Sequence, residues 1–546
     1  MSAAGTLANR SPLEDPSLGV ASISEADAAR FLLRAQFSAS DADIQEVRSK
    51  GYQAWLEARF KDPRGQKGVD WLTARGHDAI TKEARYFWPQ AGDHMIWNQL
   101  LAQPDEMRQR AAFALSQFFV ISLNPIDGFW PPYIVAAWWD LLCDEAFGNF
   151  RTLLERVSLN AGMGMYLNTK GNLKEDSATG RLPDENYARE IMQLFSIGLY
   201  ELNLDGSLKR NASGKPIESY SQSDVTNLAR VFTGYDHDFS RAKKTPVSWQ
   251  DYPVVGPEFT IDQMKLDPEK HSSLEVRFLG THIPGGTPGE QALKIALDRL
   301  FRHPNVGPFF GRQMIQRLVT SNPSPAYVAR VAAAFDDNGE GVRGDLKAVW
   351  RAVLTDREAL GAPRPDNPYS GKLREPVARF VGWARTVGIA SENGAFELFD
   401  TSRSDKGLGQ SPLRSPSVFN FFRPGYVPPH TAVAKANLEA PEFQIQNETS
   451  TAGYINFLQW AIRWGYKDLK PTYEPLLPIA HDVPLVVRWL NLHLSGDQLS
   501  PPTSRLIEAA LASKAVTADS PRDAKLDLLA SACLLVLSAP EYLVQK

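Results

Sequence analysis

Asn186, Glu190 and Gln193 recur at i, i+4 and i+7, so a helix places a carboxylate between two amides along one face. Glu185 and Arg189, also four apart, stand beside that stripe. Covered by another element, such a carboxylate loses water and its pKa rises. Glu190 or Glu185 then suits general acid or base work, with Arg189 as a clamp for an anion or carboxylate. The same residues equally suit a helix-packing ion pair or a solvated outer face. His271, in DPEKHSSLEVRFLG beside Asp267 and Glu269, offers a second proton-transfer group, a metal ligand or an ordinary hydrogen-bonded loop histidine. His237, between Asp236 and Asp238, has the same options. Asn168 and Asn172, in the loop before the stripe, are expected to join Asn186 and Gln193 in binding a ligand.

Spacing excludes several other chemistries. No HExxH, GxxxxGK[ST] or GxSxG occurs, which removes the usual support for zinc-protease, P-loop and α/β-hydrolase readings. Asp336, Asn338, Glu340 and Gly341 begin an EF-hand register, but position 12 is Lys347, which cannot supply the bidentate carboxylate. Cys143 and Cys533 are far apart and have no metal-ligand spacing. No metal site is therefore assigned, and the cofactor is left unknown. The aromatic groups Trp130, Tyr133, Trp138, Trp139 and Phe419, Phe421, Phe422, Tyr426 read first as core, with a stacking platform for sugars as the alternative.

The elements that must position these residues are helical. The chain has 546 residues, 43% hydrophobic and 22% charged, as in an ordinary globular protein. Its 59 basic against 63 acidic residues give a net charge of −4, which argues against a nucleic-acid binder or a polybasic membrane clamp. Residues 1–25 hold no apolar run of the roughly 7 to 15 residues a secretory signal needs. Export is not expected of the chain as written, and no integral membrane segment is read in it. The oligomeric state is left open.

From Pro183 the apolar residues Tyr187, Ile191, Leu194, Phe195, Leu199 and Leu202 form one continuous face, predicting a helix over 183–202 with Asp184 and Glu185 at its positive end. Similar periodicity predicts a central helix over 107–122. It also predicts helices over 132–143, 291–301, 309–319, 326–335, 346–354 and 374–387, with Asp345 capping one of them and Ser40 and Asp41 capping an N-terminal helix. Four more helices are predicted after residue 451. Strand signals are confined to small hairpins near 204–220 and 276–283. Two long structured loops span 235–289 and 399–448, and such loops are usually functional or disordered. The expected architecture is mainly α: a large multi-helix bundle with minor β-hairpins and two long structured loops. It divides into a flexible segment 1–25, a helical domain 26–450, and a helical extension 451–546 packed on it.

Several blocks in order resemble a large bacterial family known only as domain of unknown function 1800. They are ADAARFLLRAQF (26–37), AFGNFRTLLERVSLNAGMGMYLNTKGN (146–172), PDENYAREIMQLFSIGLYELNLDG (183–206), YSQSDVTNLARVFTGY (220–235) and LGQSPLRSPSVFNFFRPGY (408–426). The resemblance implies a mostly helical fold, no established activity, frequent export, and genes that often neighbour a second uncharacterised, sulfatase-like family, number 1501. It also implies a histidine like His271. Many relatives carry His-Asn-His in the helix matching 113–118, where this chain has Leu115, Ser116 and Gln117, so a metal mechanism does not carry over. The expected function is a pocket-bearing, enzyme-like protein that binds or acts on a polar ligand, for example a glycan, by carboxylate and histidine chemistry. The alternative is a non-catalytic scaffold or maturation partner for the sulfatase-like neighbour.

Overall fold

A computed structural model describes residues 22–81, 86–126, 128–362, 367 and 370–546. Of the expected flexible segment, residues 1–21 lie outside the described ones. Ser24 already accepts a hydrogen bond from the Asp27 N–H and caps the first helix, Glu25–Ala35.

Among the described residues there are 23 α-helices and ten strands of two or three residues, paired into five antiparallel two-stranded sheets. The fold is mainly α. Local signals explain many helix starts: Ser40, Asn149, Asn160, Ser221, Ser324 and Asp345 each accept from a backbone N–H of the first turn. The Pro131–Glu145 helix lies deepest, with Trp138, Trp139, Leu142 and Cys143 fully out of water. A helix buried on nearly every face must be enclosed, and this one packs on Gly68–Ala74, Gln90–Ala102 and Glu106–Ser116. Trp130, Tyr133, Trp138 and Trp139 are thus core. The predicted central helix over 107–122 stops at Ser116, where the Phe118 and Phe119 N–H groups both turn back to the Leu115 carbonyl.

The loop over 235–289 is built from three small hairpins, with strands Tyr235–Asp236 and Lys265–Leu266, Lys244–Thr245 and Val254–Val255, and Val276–Phe278 and Thr281–Ile283. The second loop, 399–448, is held by long-range bonds. Arg414 grips Asp93 with two parallel hydrogen bonds of 2.8 and 2.6 Å and donates to Asn124 Oδ1 at 3.0 Å. The Leu413 carbonyl accepts from the Leu123 N–H. After residue 451, Glu448–Trp464 packs on Arg522–Ser538 and Val483–Leu490 on Pro501–Ala512. The terminal strand Val544–Gln545 pairs with Lys372–Leu373, so the last residues are stitched beside the Pro376–Val387 helix. No helix among the described residues is long and apolar enough to cross a membrane.

Candidate functional site

The helix carrying the polar stripe spans Asn186–Gln193, shorter than the periodicity predicts. Its start is fixed by Asp184, whose carboxylate accepts from the Asn186 N–H at 2.7 Å. Its end is fixed by Gly198, at φ +73°, whose N–H closes back on the Met192 carbonyl. A Cβ at Gly198 would lie 2.8 Å from the Phe309 ring, so glycine also lets that ring close against the chain. Tyr187, Ile191 and Phe195 are buried as expected, whereas Leu199 is exposed. The chain beyond the stop is held by the buried Asn305 side chain, which donates to the Ile197 and Tyr200 carbonyls and accepts from the Leu202 N–H. From there it runs into a compact hairpin closed by a ring of bonds: Glu201 N–H to Ile217 O, Ile217 N–H to Lys209 O, and Lys209 N–H to Glu201 O.

This turn away from the helix opens a groove of about 480 Å³. Gln193, Leu194, Leu199 and Leu202 form one wall, Phe309, Arg312, Gln313 and Arg317 of the Val306–Leu318 helix another, and Val418, Phe419 and Arg423 a third. Gln117 contributes to the groove and to a neighbouring cavity of about 10 Å³ beneath Ser411, Ser415 and Asn420. At one end Glu439 accepts from Arg312 at 3.0 Å and from Gln316 at 2.7 Å.

The expected site residues divide among three settings. Glu185 accepts from Thr226 at 2.6 Å, Gln222 at 2.8 Å and Arg189 at 3.3 Å, and Arg189 also donates to Gln222. Both therefore join two helices, Asn186–Gln193 and Gln222–Ala229. Asn172 is buried and accepts from the Asp184 N–H at 2.9 Å, while Asn168, at φ +63°, reaches the Asp184 carboxylate at 3.5 Å. The loop and the stripe thus do meet, through Asp184.

His271 does not line the groove, though its surroundings are bonded to the asparagine loop: the Gly234 N–H donates to the Asn172 carbonyl at 2.7 Å and the Lys174 N–H to the Lys270 carbonyl at 3.0 Å. The histidine is buried, and its Nδ1 donates to the Thr233 carbonyl at 2.9 Å. It borders a cavity of about 10 Å³ with Arg230 and Ile283, not the groove. Its backbone crosses Gly234, at φ +83°, where a Cβ would meet the Asp267 carbonyl at 2.7 Å and the His271 nitrogen at 2.9 Å. His237 contacts the Ala161 carbonyl, and burial pushes its pKa down to about 4, so it stays neutral.

Glu190 is different. It is half-buried, and one carboxylate oxygen is sealed from water without a hydrogen-bond partner. Its neighbour Arg189 turns to Glu185 instead. Burial raises the Glu190 pKa above its ordinary value, with the Arg189 charge opposing. One turn on, Gln193 accepts from the Tyr220 hydroxyl at 2.9 Å and lines the groove. Glu190 and Gln193 are thus neighbours along a face that ends in the groove.

Asn305, Phe309, Arg312, Arg317 and Glu439 were not singled out in the sequence, and Gln117 entered only as a departure from the relatives' His-Asn-His. A signal existed for part of this set: Arg312, Gln313, Gln316 and Arg317 interrupt an otherwise apolar helix at i, i+1, i+4 and i+5. Among the described residues no three His, Cys, Asp or Glu side chains cluster as a metal-ligand set.

No curated protein and no solved structure matches this chain. One family model, described as "Protein of unknown function (DUF1800)", matches residues 30–544. That span includes every wall of the groove, and the chain belongs to the DUF1800 family.

Proposed function

We propose that the protein is an enzyme-like ligand-binding protein whose site is the groove between Gln193, Phe309 and Phe419, with Glu190 as its proton-transfer group. The observation that carries this reading is the partnerless carboxylate oxygen of Glu190, one turn from a groove residue. An unsatisfied buried acceptor costs about 1 to 3 kcal/mol, a cost that a proton shared with a ligand would relieve. A raised pKa brings such a group closer to neutrality, where acids and bases work best. The groove's volume falls in the range of small-ligand sites, roughly 300 to 1,000 Å³. Its walls combine apolar faces with a few polar groups, which suits a ligand with both characters, including the apolar face of a sugar ring. Glu185 and Arg189 support the helix that presents Glu190, and His271 pins the adjoining loop.

Crystallographic soaking with a library of small polar and aromatic fragments tests this. Fragments should collect in the groove, with some reaching the Glu190 carboxylate. Clustering elsewhere, with the groove empty, would overturn it. A second reading, a scaffold or maturation partner for the sulfatase-like neighbour, draws on the exposed Leu199, Tyr200, Leu204, Leu208 and Ile217 of the hairpin, since contiguous apolar surface often marks an interface. Co-purification with that neighbour, lost on Leu204→Asp together with Ile217→Asp, is its expected signature.

A further inference from the structure

Arg317 lines the groove and is only 9% exposed. Its terminal nitrogens donate to the Gln313 carbonyl and side chain at 3.1 Å and to the Gln117 carbonyl at 2.8 Å, all neutral acceptors. Its Nε has no partner. The carboxylates that act on its charge are engaged elsewhere: Glu442 pairs with Lys372 at 2.8 Å, and Glu375 accepts from Gln117 and Gln410. Burial pushes Arg317 down to about 10, so it remains a cation at neutral pH. Arg317 thus has no carboxylate in direct contact and feels Glu375 and Glu442 only at a distance, whereas proteins normally pair a buried cation directly.

The rest of the groove has the same imbalance. Arg312 shares Glu439, the one acid on the lining. Arg423 is exposed, stacks on Phe419 at 4.9 Å, and has no acid partner among the described residues. Three arginines therefore face one glutamate. Between them run the apolar surfaces of Phe118, Leu199, Leu202, Phe309, Val418 and Phe419.

We propose that the groove's ligand is an amphipathic carboxylic acid, with its carboxylate at Arg317 and Gln313 and its apolar body along Phe309 and Phe419. This rests on the groove being the binding site. The acid supplies a direct counter-charge in a groove where three arginines share one lining glutamate, and a guanidinium is the side chain best matched to a carboxylate. The groove's volume suits one small molecule of this kind.

Calorimetry on the whole protein with decanoate and decyltrimethylammonium below their micelle concentrations, and decanol below its solubility limit, tests the proposal. Decanoate should bind at least tenfold more tightly than decanol, and the cation should not bind. Arg317→Met should erase the preference and leave decanol unchanged, and Arg317→Lys should restore part of it. Should the methionine variant fail to fold, the head-group series on the unaltered protein decides alone. Equal affinity for acid and alcohol, both abolished by Phe309→Arg, would overturn the carboxylate assignment and leave the groove as the site. Failure of all three to bind would overturn both.

Discussion

Asp93 and Glu190 are both carboxylates drawn out of bulk water, and the chain treats them in opposite ways. Asp93 is 2% exposed and receives two hydrogen bonds from one guanidinium. Glu190 keeps an oxygen with no partner, although an arginine is adjacent in sequence. That arginine is committed to Glu185, which collects three donors within 3.3 Å. Saturated carboxylates here join elements: Asp93 anchors the 399–448 loop and Glu185 joins two helices. Glu190 stands one turn from a groove residue, where a ligand or substrate proton can complete it.

The sharpest way to break this contrast is to remove the saturated pair. Arg414→Ala leaves Asp93 buried and unpaired and should cost about 3 to 5 kcal/mol in urea unfolding, because the stranded charge has no other partner. A loss below about 1 kcal/mol would mean that Asp93 is not the anchor described. Next in size, Asn305→Ala removes three hydrogen bonds that a fully buried amide makes to the backbone. About 2 to 3 kcal/mol should be lost, together with ligand binding in the groove, as its wall comes free. Smaller again, Glu185→Ala removes a half-exposed network and should cost about 0.2 to 1 kcal/mol, since solvent screens such pairs.

The smallest stability effect is expected at Glu190, and its sign is the informative part. A carboxyl with a raised folded pKa holds its proton more tightly folded than unfolded, so stability falls as pH rises from the ordinary carboxylate value through the raised one. Glu190→Gln removes that loss. The variant should equal the native protein at acid pH, gain on it as pH rises, and be the more stable at neutral pH, as followed by melting temperature across pH. A destabilisation of roughly 3 kcal/mol would place Glu190 with Asp93 as a structural group and end the comparison.

Much of the helical frame was legible because its causes are local. Ser40 and Asp345 cap the helices assigned to them, and the face Tyr187, Ile191, Phe195 is buried as its spacing requires. The groove was not legible because its causes are distant. Leu199 continues the apolar period on paper, yet Gly198 ends the helix and Asn305, about a hundred positions on, takes over the chain. The Asp93 to Arg414 pair spans 321 positions, beyond any periodic signal. The expected grouping of Glu190, Arg189 and His271 drew on sequence blocks alone. Arg189 and Glu190 are consecutive, yet it is Arg189 that is drawn to Glu185 and to Gln222 of the Gln222–Ala229 helix, a pairing between elements that local spacing does not announce.

The ring of bonds that closes the hairpin after Leu199 has a kinetic consequence. With one wall locked by Glu201, Lys209 and Ile217 and the opposite loop moored at Asp93, neither wall needs to rearrange for a guest to enter. Capture should then proceed at an ordinary encounter rate, whichever side chains line the groove. Substitutions along the groove should instead change how long the guest stays, so their effect will be read in residence time.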